Sequence, residues 1–151
     1  MLDTSFIVNH DEKVPAAVRA MKRLEGRVLL VSAVSWAELG AGPLGVEGIK
    51  RARGLEPIAF NTAAAEFLAA YLPPKERSAE ATKVAWTADA MIYACAVAGG
   101  ADAIITDNAR DFRAMQEKHG GGAIEILSSA DLQPDPTMFD YFESSGAPIG
   151  E

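Results

Sequence analysis

Asp3, Glu38, Asp89 and Asp107 are far apart in the sequence, yet Asp3 and Asp107 end apolar strand-like runs, Glu38 lies on the helix right after one and Asp89 on an alanine-rich helix. "AIITDNARDF" (103–112) shows the pattern most sharply. A β-type apolar run stops at Thr106, Asp107 and Asn108, with Asp111 one helical turn further on. Asp and Asn at such a place cap a following helix, or their oxygens face a cation. Gathered carboxylates raise one another's pKa and repel. Such a group therefore persists most readily around a metal ion, and an all-oxygen set without Cys or His suits Mg²⁺ or Mn²⁺. A cation held this way assists attack of water on a phosphoryl group. Singly, each acid has a plainer reading: Asp3 in "DTS" as an N-cap, Glu38 as an exposed helix residue, Asp89 after Thr87 as a favourable charge at a helix start. Asp107 and Asn108 can form a turn and cap, and Asp111 can face solvent or pair with Arg110 or Arg113. Only their joint placement points to a metal.

The elements that would bring them together alternate. Met1–Thr4 reads as a strand stub, Val14–Leu24 as a helix, 27–32 ("RVLLVS") as a strand and 33–42 as a short helix ended by Gly40, Gly42 and Pro43. Residues 46–54 form a weak helix and 57–60 ("PIAF") a brief strand. Asn61 and Thr62 cap a helix stopped by Pro73-Pro74, and 78–100 is an alanine-rich helix closed by Gly99-Gly100. Then come a strand at 103–106, a helix at 109–118, a glycine turn at 120–122 and a last strand at 123–127. Strands separated by helices predict an α/β fold, a single domain with a central, mostly parallel sheet flanked by helices. Functional groups of such sheets lie at the carboxyl ends of the strands.

Composition excludes several alternatives. The 151 residues, 49% hydrophobic and 23% charged, suit one globular domain. The mean hydropathy of +0.05 is high, but no apolar run reaches the roughly 20 residues of a membrane span. The start lacks a secretion signal, and the single cysteine, Cys95, forms no internal disulfide framework; a cytoplasmic address is expected. A net charge of −7 argues by itself against nucleic-acid binding, although bound cations would offset several of the acids. Two histidines, His10 and His119, are too few for an imidazole-built zinc site. "HGGGA" (119–123) has no GxSxG nucleophile to serve. Residues 1–133 are expected to form the folded domain. The segment 134–151, rich in Pro, Gly, Ser and acids, reads as a tail that is disordered or docks Phe139, Tyr141 and Phe142 on a surface.

"LDTS" at the start, "SAVSWAELGAG" (32–42), "ADAMIYACAVAGGADAIITDNARDF" (88–112) and "IEIL" (124–127) together resemble the PIN-domain family, and within it the VapC-type toxins of bacterial toxin–antitoxin pairs. The resemblance spans roughly residues 2 to 128. It implies an endoribonuclease dependent on Mg²⁺ or Mn²⁺, with Asp3, Glu38 and Asp89 as the family's first three acids. Ser5 matches its small hydroxyl residue and Thr106 the threonine that opens its fourth motif. Asp3 and Asp89 would hold the principal metal, and Glu38 with Asp107 or Asn108 would complete the shell; Asp107 stands first for the fourth place, then Asn108, then Asp111. A metal-activated water would cleave RNA to leave a 5′-phosphate. The resemblance also implies a homodimer and a cognate antitoxin protein seated in an apolar groove near Phe6, Trp36 and Leu39. Trp36 and Trp86 have a plainer reading as core. Lys50, Arg51, Arg53 and Lys83 are candidates to contact the RNA backbone.

Two departures stand out. Only Met1 and Leu2 precede Asp3, so either the start is clipped or the sheet has a weak edge, and the tail extends past the family's closing strand. The alternatives are a non-enzymatic PIN-like binding module and a housekeeping RNA-processing nuclease. A Mg²⁺-dependent phosphotransfer domain fits less well. The dehalogenase-type phosphatases need Asp where Ser5 stands, and receiver domains want a Lys beyond Lys118.

Overall fold

In the computed structural model the described residues are 1–42, 45–70, 87–118 and 124–133. The chain runs α1 (Thr4–Asp11), α2 (Pro15–Arg23), β1 (Leu30–Ser32), α3 (Ala33–Ala41) and α4 (Val46–Arg51), then a 3-10 turn (Ala52–Gly54) and β2 (Glu56–Ile58). It continues through α5 (Thr62–Ala70), α6 (Ala88–Ala98), β3 (Ala103–Ile105), α7 (Ala109–Lys118) and β4 (Glu125–Leu127). The expected Pro73-Pro74 stop, helix residues 78–86, the 120–122 turn and the 134–151 tail lie outside the described residues.

Among the described residues four short strands form two parallel pairs, β1 with β2 and β3 with β4. Leu2 joins them, bridging in parallel to Val31 on one side and Ile105 on the other. Leu2 N donates to Leu30 O at 2.7 Å, Ile105 N to Met1 O at 2.8 Å and Asp3 N to Ile105 O at 2.9 Å. The expectation of a weak edge is therefore corrected: the stub is the middle of the sheet, and its short length suffices because both neighbours satisfy its backbone.

Side chains alternate across that sheet, as strand geometry requires. Leu2, Val31 and Ile105 belong to one core cluster with Phe6, Ile7, Ala17, Ala20 and Leu39, supplied by α1, α2 and α3. Met1 and Ile104, one residue out of phase, belong to a second cluster with Leu68, Tyr93, Phe112 and Ile126 from the other side. Both faces are thus buried, which is why the strands read as continuous apolar runs.

Helix α1 is the one described helix the sequence pattern did not predict. "TSFIVNHD" carries β-branched residues of modest helix propensity. Asp3 turns the chain from extended (φ −83°, ψ 159°) into the helix and caps it. Phe6 and Ile7 then bury.

At the other sheet edge Gly99 closes α6. A Cβ added there would lie 2.5 Å from Ile58 Cδ1 and 2.9 Å from Cys95 O, whereas one added at Gly54 would meet nothing within 4 Å. Gly99→Ala should therefore cost about 1–3 kcal/mol through overpacking and lower the thermal midpoint. Gly54→Ala should leave it unchanged, and differential scanning calorimetry of the two variants checks the contrast.

Candidate metal-dependent active site

The carboxyl ends of Leu2's segment and β3 lie side by side, and this juxtaposition builds the site. Asp3 follows Leu2 directly and is 3% exposed. Its Oδ2 accepts three hydrogen bonds: from Ser5 Oγ at 2.6 Å, Thr106 Oγ1 at 2.8 Å and Ser5 N at 3.3 Å. The two hydroxyls in turn accept from the backbone beyond β3, Ser5 Oγ from Asp107 N (3.1 Å) and Thr106 Oγ1 from Asn108 N (3.0 Å). Their own protons are thereby directed at Asp3, in charge-assisted bonds that offset part of the cost of burying a carboxylate. No described residue donates to Asp3 Oδ1. One oxygen is fixed, and the other has no donor among the described residues.

Two further acids arrive on helices. Ser32 ends β1 and caps α3, accepting from Ser35 N at 2.9 Å. Glu38 lies further along that helix, and its Oε2 accepts from Thr4 Oγ1 at 2.5 Å. The first residues of α1 therefore orient both Asp3 and Glu38. Thr87 caps α6 by accepting from Ala90 N, which puts Asp89 in the first turn, where the helix dipole favours a carboxylate. Burial pushes the Asp89 carboxyl above its usual range. Repulsion from Asp3, Glu38 and Asp111 adds to this, against one opposing hydrogen bond from Asn108. That bond, Asn108 Nδ2 to Asp89 Oδ2, spans 3.2 Å.

The fourth motif divides. Both oxygens of Asp107 are already engaged: Oδ2 accepts from Asn9 Nδ2 at 2.6 Å and Oδ1 from Ser129 N at 3.1 Å. Burial tends to raise this carboxyl, but the bonds from Ser129 and Asn9 outweigh it and hold it below the usual range. Asp107 thus ties α1 to the 128–131 turn, Asn108 turns to Asp89, and Asp111 is exposed within electrostatic reach of Asp89. Neither Asp107 nor Asn108 caps α7 with its side chain in these bonds. Arg113 is not Asp111's partner; it donates to Asp131 at 3.0 Å and Ile126 O at 3.1 Å.

Thr4, Asn9 and Ser129 are site residues that the sequence reading missed. Thr4 had a signal, its place inside "DTS" beside the first acid; Asn9 and Ser129 had none.

The expected apolar groove near Phe6, Trp36 and Leu39 is corrected. Phe6 (0% exposed) and Leu39 (4%) are core, filled by the domain itself. Trp36 packs against that core, its buried Nε1 without a hydrogen-bond partner among the described residues. Trp86 and Lys83 lie outside the described residues, as does the Arg51 side chain. Lys50 pairs with Glu47, and Arg53 is exposed.

Among the described residues no group of three or more His, Cys, Asp or Glu side chains stands arranged to hold a metal ion. The acids form an open cluster instead. Its donor chemistry fits a hard divalent cation: an unused oxygen on buried Asp3, a carboxyl on Asp89 repelled by its neighbours, Glu38, and the Asn108 amide. No described Lys or Arg pairs with Asp3, Glu38 or Asp89 to quench that repulsion.

The sign of the pH dependence follows. Because folding raises the Asp89 pKa, the folded state binds its proton more readily than the unfolded chain. The penalty of the charged form is complete above the raised pKa. It fades as pH falls through that pKa and vanishes below the ordinary value of 3.8. Metal-free Asp89→Asn should therefore melt a few degrees above the parent protein at neutral pH and low salt. The gap should close on acidification, as thermal melts in chelator across pH would show.

With the site in view, the comparisons add the family. The PIN-domain profile matches residues 1–118 of the 151. No curated protein matches the chain significantly. PIN domains are generally metal-dependent nucleases that act on RNA. A parallel sheet that carries Asp3, Glu38 and Asp89 to one end, under a profile matching most of the sequence, marks this chain as a member of the PIN-domain family.

Proposed function

We propose that this PIN-domain protein is a Mg²⁺- or Mn²⁺-dependent endoribonuclease and the toxin of a type II toxin–antitoxin pair. The observation that supports the metal site is the buried Asp3 carboxylate, with one oxygen held by Ser5 and Thr106 and no described donor to the other, and Asp89 near enough to be pushed upward by it. In this reading Asp3, through Oδ1, and Asp89 are the principal ligands, and Glu38 completes the set. The fourth place falls to Asn108 or Asp111. Asp107, occupied by Asn9 and Ser129, holds α1 and the 128–131 turn in position.

A divalent cation supplies Lewis-acid activation of water and offsets charge developing on a phosphoryl oxygen. The chain's own residues do the rest. Ser5 and Thr106 hold the Asp3 carboxylate in one orientation, and Thr4 holds Glu38. Preorganised groups of this kind need no rearrangement as the reaction proceeds. Arg53, exposed beyond α4, is a described cation open to an RNA phosphate.

The cognate antitoxin belongs to the same proposal, its basic side chain offsetting the repulsion that a cation otherwise quenches. So do the homodimer, the cytoplasmic address and the division into a domain at 1–133 and a tail at 134–151. No described helix is long and apolar enough to cross a membrane.

The test incubates metal-free protein with a pool of structured RNAs, adds Mn²⁺ or Mg²⁺, and maps the new ends. Wild type should cut to leave 5′-phosphates, and Asp89→Asn should be slower by roughly 10²-fold or more. Metal-independent cuts that leave cyclic phosphates, or equal rates in the two proteins, would refute the mechanism. Cleavage without growth arrest on induction would retain the nuclease and replace the toxin with a housekeeping role.

A further inference from the structure

Helix α2 carries a charged face that the acid cluster leaves unexplained. Ala17 and Ala20 are buried and Leu24 packs against the same core, while Arg19, Lys22 and Arg23 are exposed. Spacings of three and four residues put these three on one face of the helix, and exposed Arg27 follows it. Residues 13–27 hold five Lys and Arg against a single acid, Glu25; the rest of the chain holds nine against twenty, within totals of 14 and 21. Cations so placed repel one another. Among the described residues no carboxylate pairs with Arg19, Lys22, Arg23 or Arg27.

Hydrogen bonds link this face to the acid cluster. Arg19 Nε donates to Gln133 Oε1 at 2.7 Å, and Arg23 Nη2 reaches Gln133 O at 3.5 Å. Gln133 Nε2 donates to Ser129 O, and Ser129 N donates to Asp107 Oδ1 at 3.1 Å. Asp107 N donates in turn to Ser5 Oγ, the hydroxyl that serves Asp3. Only Gln133, Ser129 and Asp107 therefore stand between Arg19 and the residue that orients the first acid. The bonds to Gln133 leave most guanidinium donors of both arginines uncommitted.

We propose that this face of α2, made by Arg19, Lys22 and Arg23 with Arg27 beyond them, binds the phosphate backbone of the RNA that reaches the acids. For the identity of its partner the proposal rests on the nuclease reading. Charge complementarity favours RNA. A chain of net charge −7 repels a polyanion, so contact is made where cations outnumber acids locally. Arginine suits phosphate, because its planar fork directs paired N–H bonds at two oxygens. Backbone contacts of this kind set affinity and register and carry no sequence information, which leaves the choice of bond to groups at the acid cluster.

The test measures binding without cleavage. Fluorescence anisotropy follows a labelled, mixed-sequence single-stranded RNA with the full chain in chelator, across a salt series. Wild type should bind with an affinity that falls as salt rises. Lys22→Gln with Arg23→Gln should weaken binding roughly tenfold and lower the salt slope by about one to two, with an unchanged thermal midpoint. Lys22→Arg with Arg23→Lys, which keep both charges, should retain most of the binding. The same loss of charge at Lys50 and Arg110, on other elements, should weaken it far less. No salt-dependent binding by folded wild type, or equal loss in the two Gln pairs, would overturn the proposal. Binding that needs the α2 cations, without cleavage once Mn²⁺ is added, would uphold the binding face and refute the nuclease reading. Cleavage with binding indifferent to those cations would do the reverse.

Discussion

Repulsion among carboxylates that the backbone holds together is the constraint around which this molecule is built. Asp3 cannot move away, because Leu2 is paired on both sides and the next residue starts a helix. Asp89 cannot move away either, because Thr87 and Asn108 hold the first turn of α6. An isolated domain gains nothing from placing Asp89 where burial and three acids oppose its ionisation. The arrangement makes sense if something positive enters. The hydroxyls of Ser5 and Thr106 serve the same end, since they satisfy one oxygen of Asp3 and leave the other open.

The sheet explains how so few residues achieve this. Each strand spans three residues, too short to stand alone, yet both faces are covered by helices and the two core clusters meet through alternate side chains of the same strands. Leu2 contributes one side chain to the core and one backbone unit to each neighbouring strand. That single residue couples the stability of the fold to the position of Asp3. A similar economy appears at Thr106, whose backbone N donates to Leu127 O while its hydroxyl serves Asp3. Packing and site geometry share the same atoms.

Much of this was legible in the sequence. Alternation of short apolar runs with helical stretches revealed the α/β class, and β1, β3 and β4 fall inside the runs that announced them. Asp3, Glu38 and Asp89 were recognisable as acids at a strand end and on helices, and Asp3 and Glu38 lie near enough to Asp89 to push its carboxyl upward. What escaped notice was set by tertiary context. Helix α1 was hidden because β-branched residues mask its period, and a cap with a buried face overrides propensity there. The central place of the Leu2 stub depends on strand order, which no local pattern encodes. Asp107 stood ahead of Asn108 and Asp111 for the fourth place, because Asn9 and Ser129, whose bonds engage both of its oxygens, come from distant parts of the chain. Phe6 and Leu39 looked available for a partner, yet the domain's own core claims them.

The account rests on the acids forming a cation site, and direct titration tests that most simply. Mn²⁺ should be titrated calorimetrically into metal-free wild type and into Asp89→Asn, both checked for folding. Saturable binding to wild type that is lost in the variant is the predicted result. No binding to folded wild type at millimolar Mn²⁺, or equal binding by both proteins, would contradict it and leave Asp89 as a strained charge at a helix start.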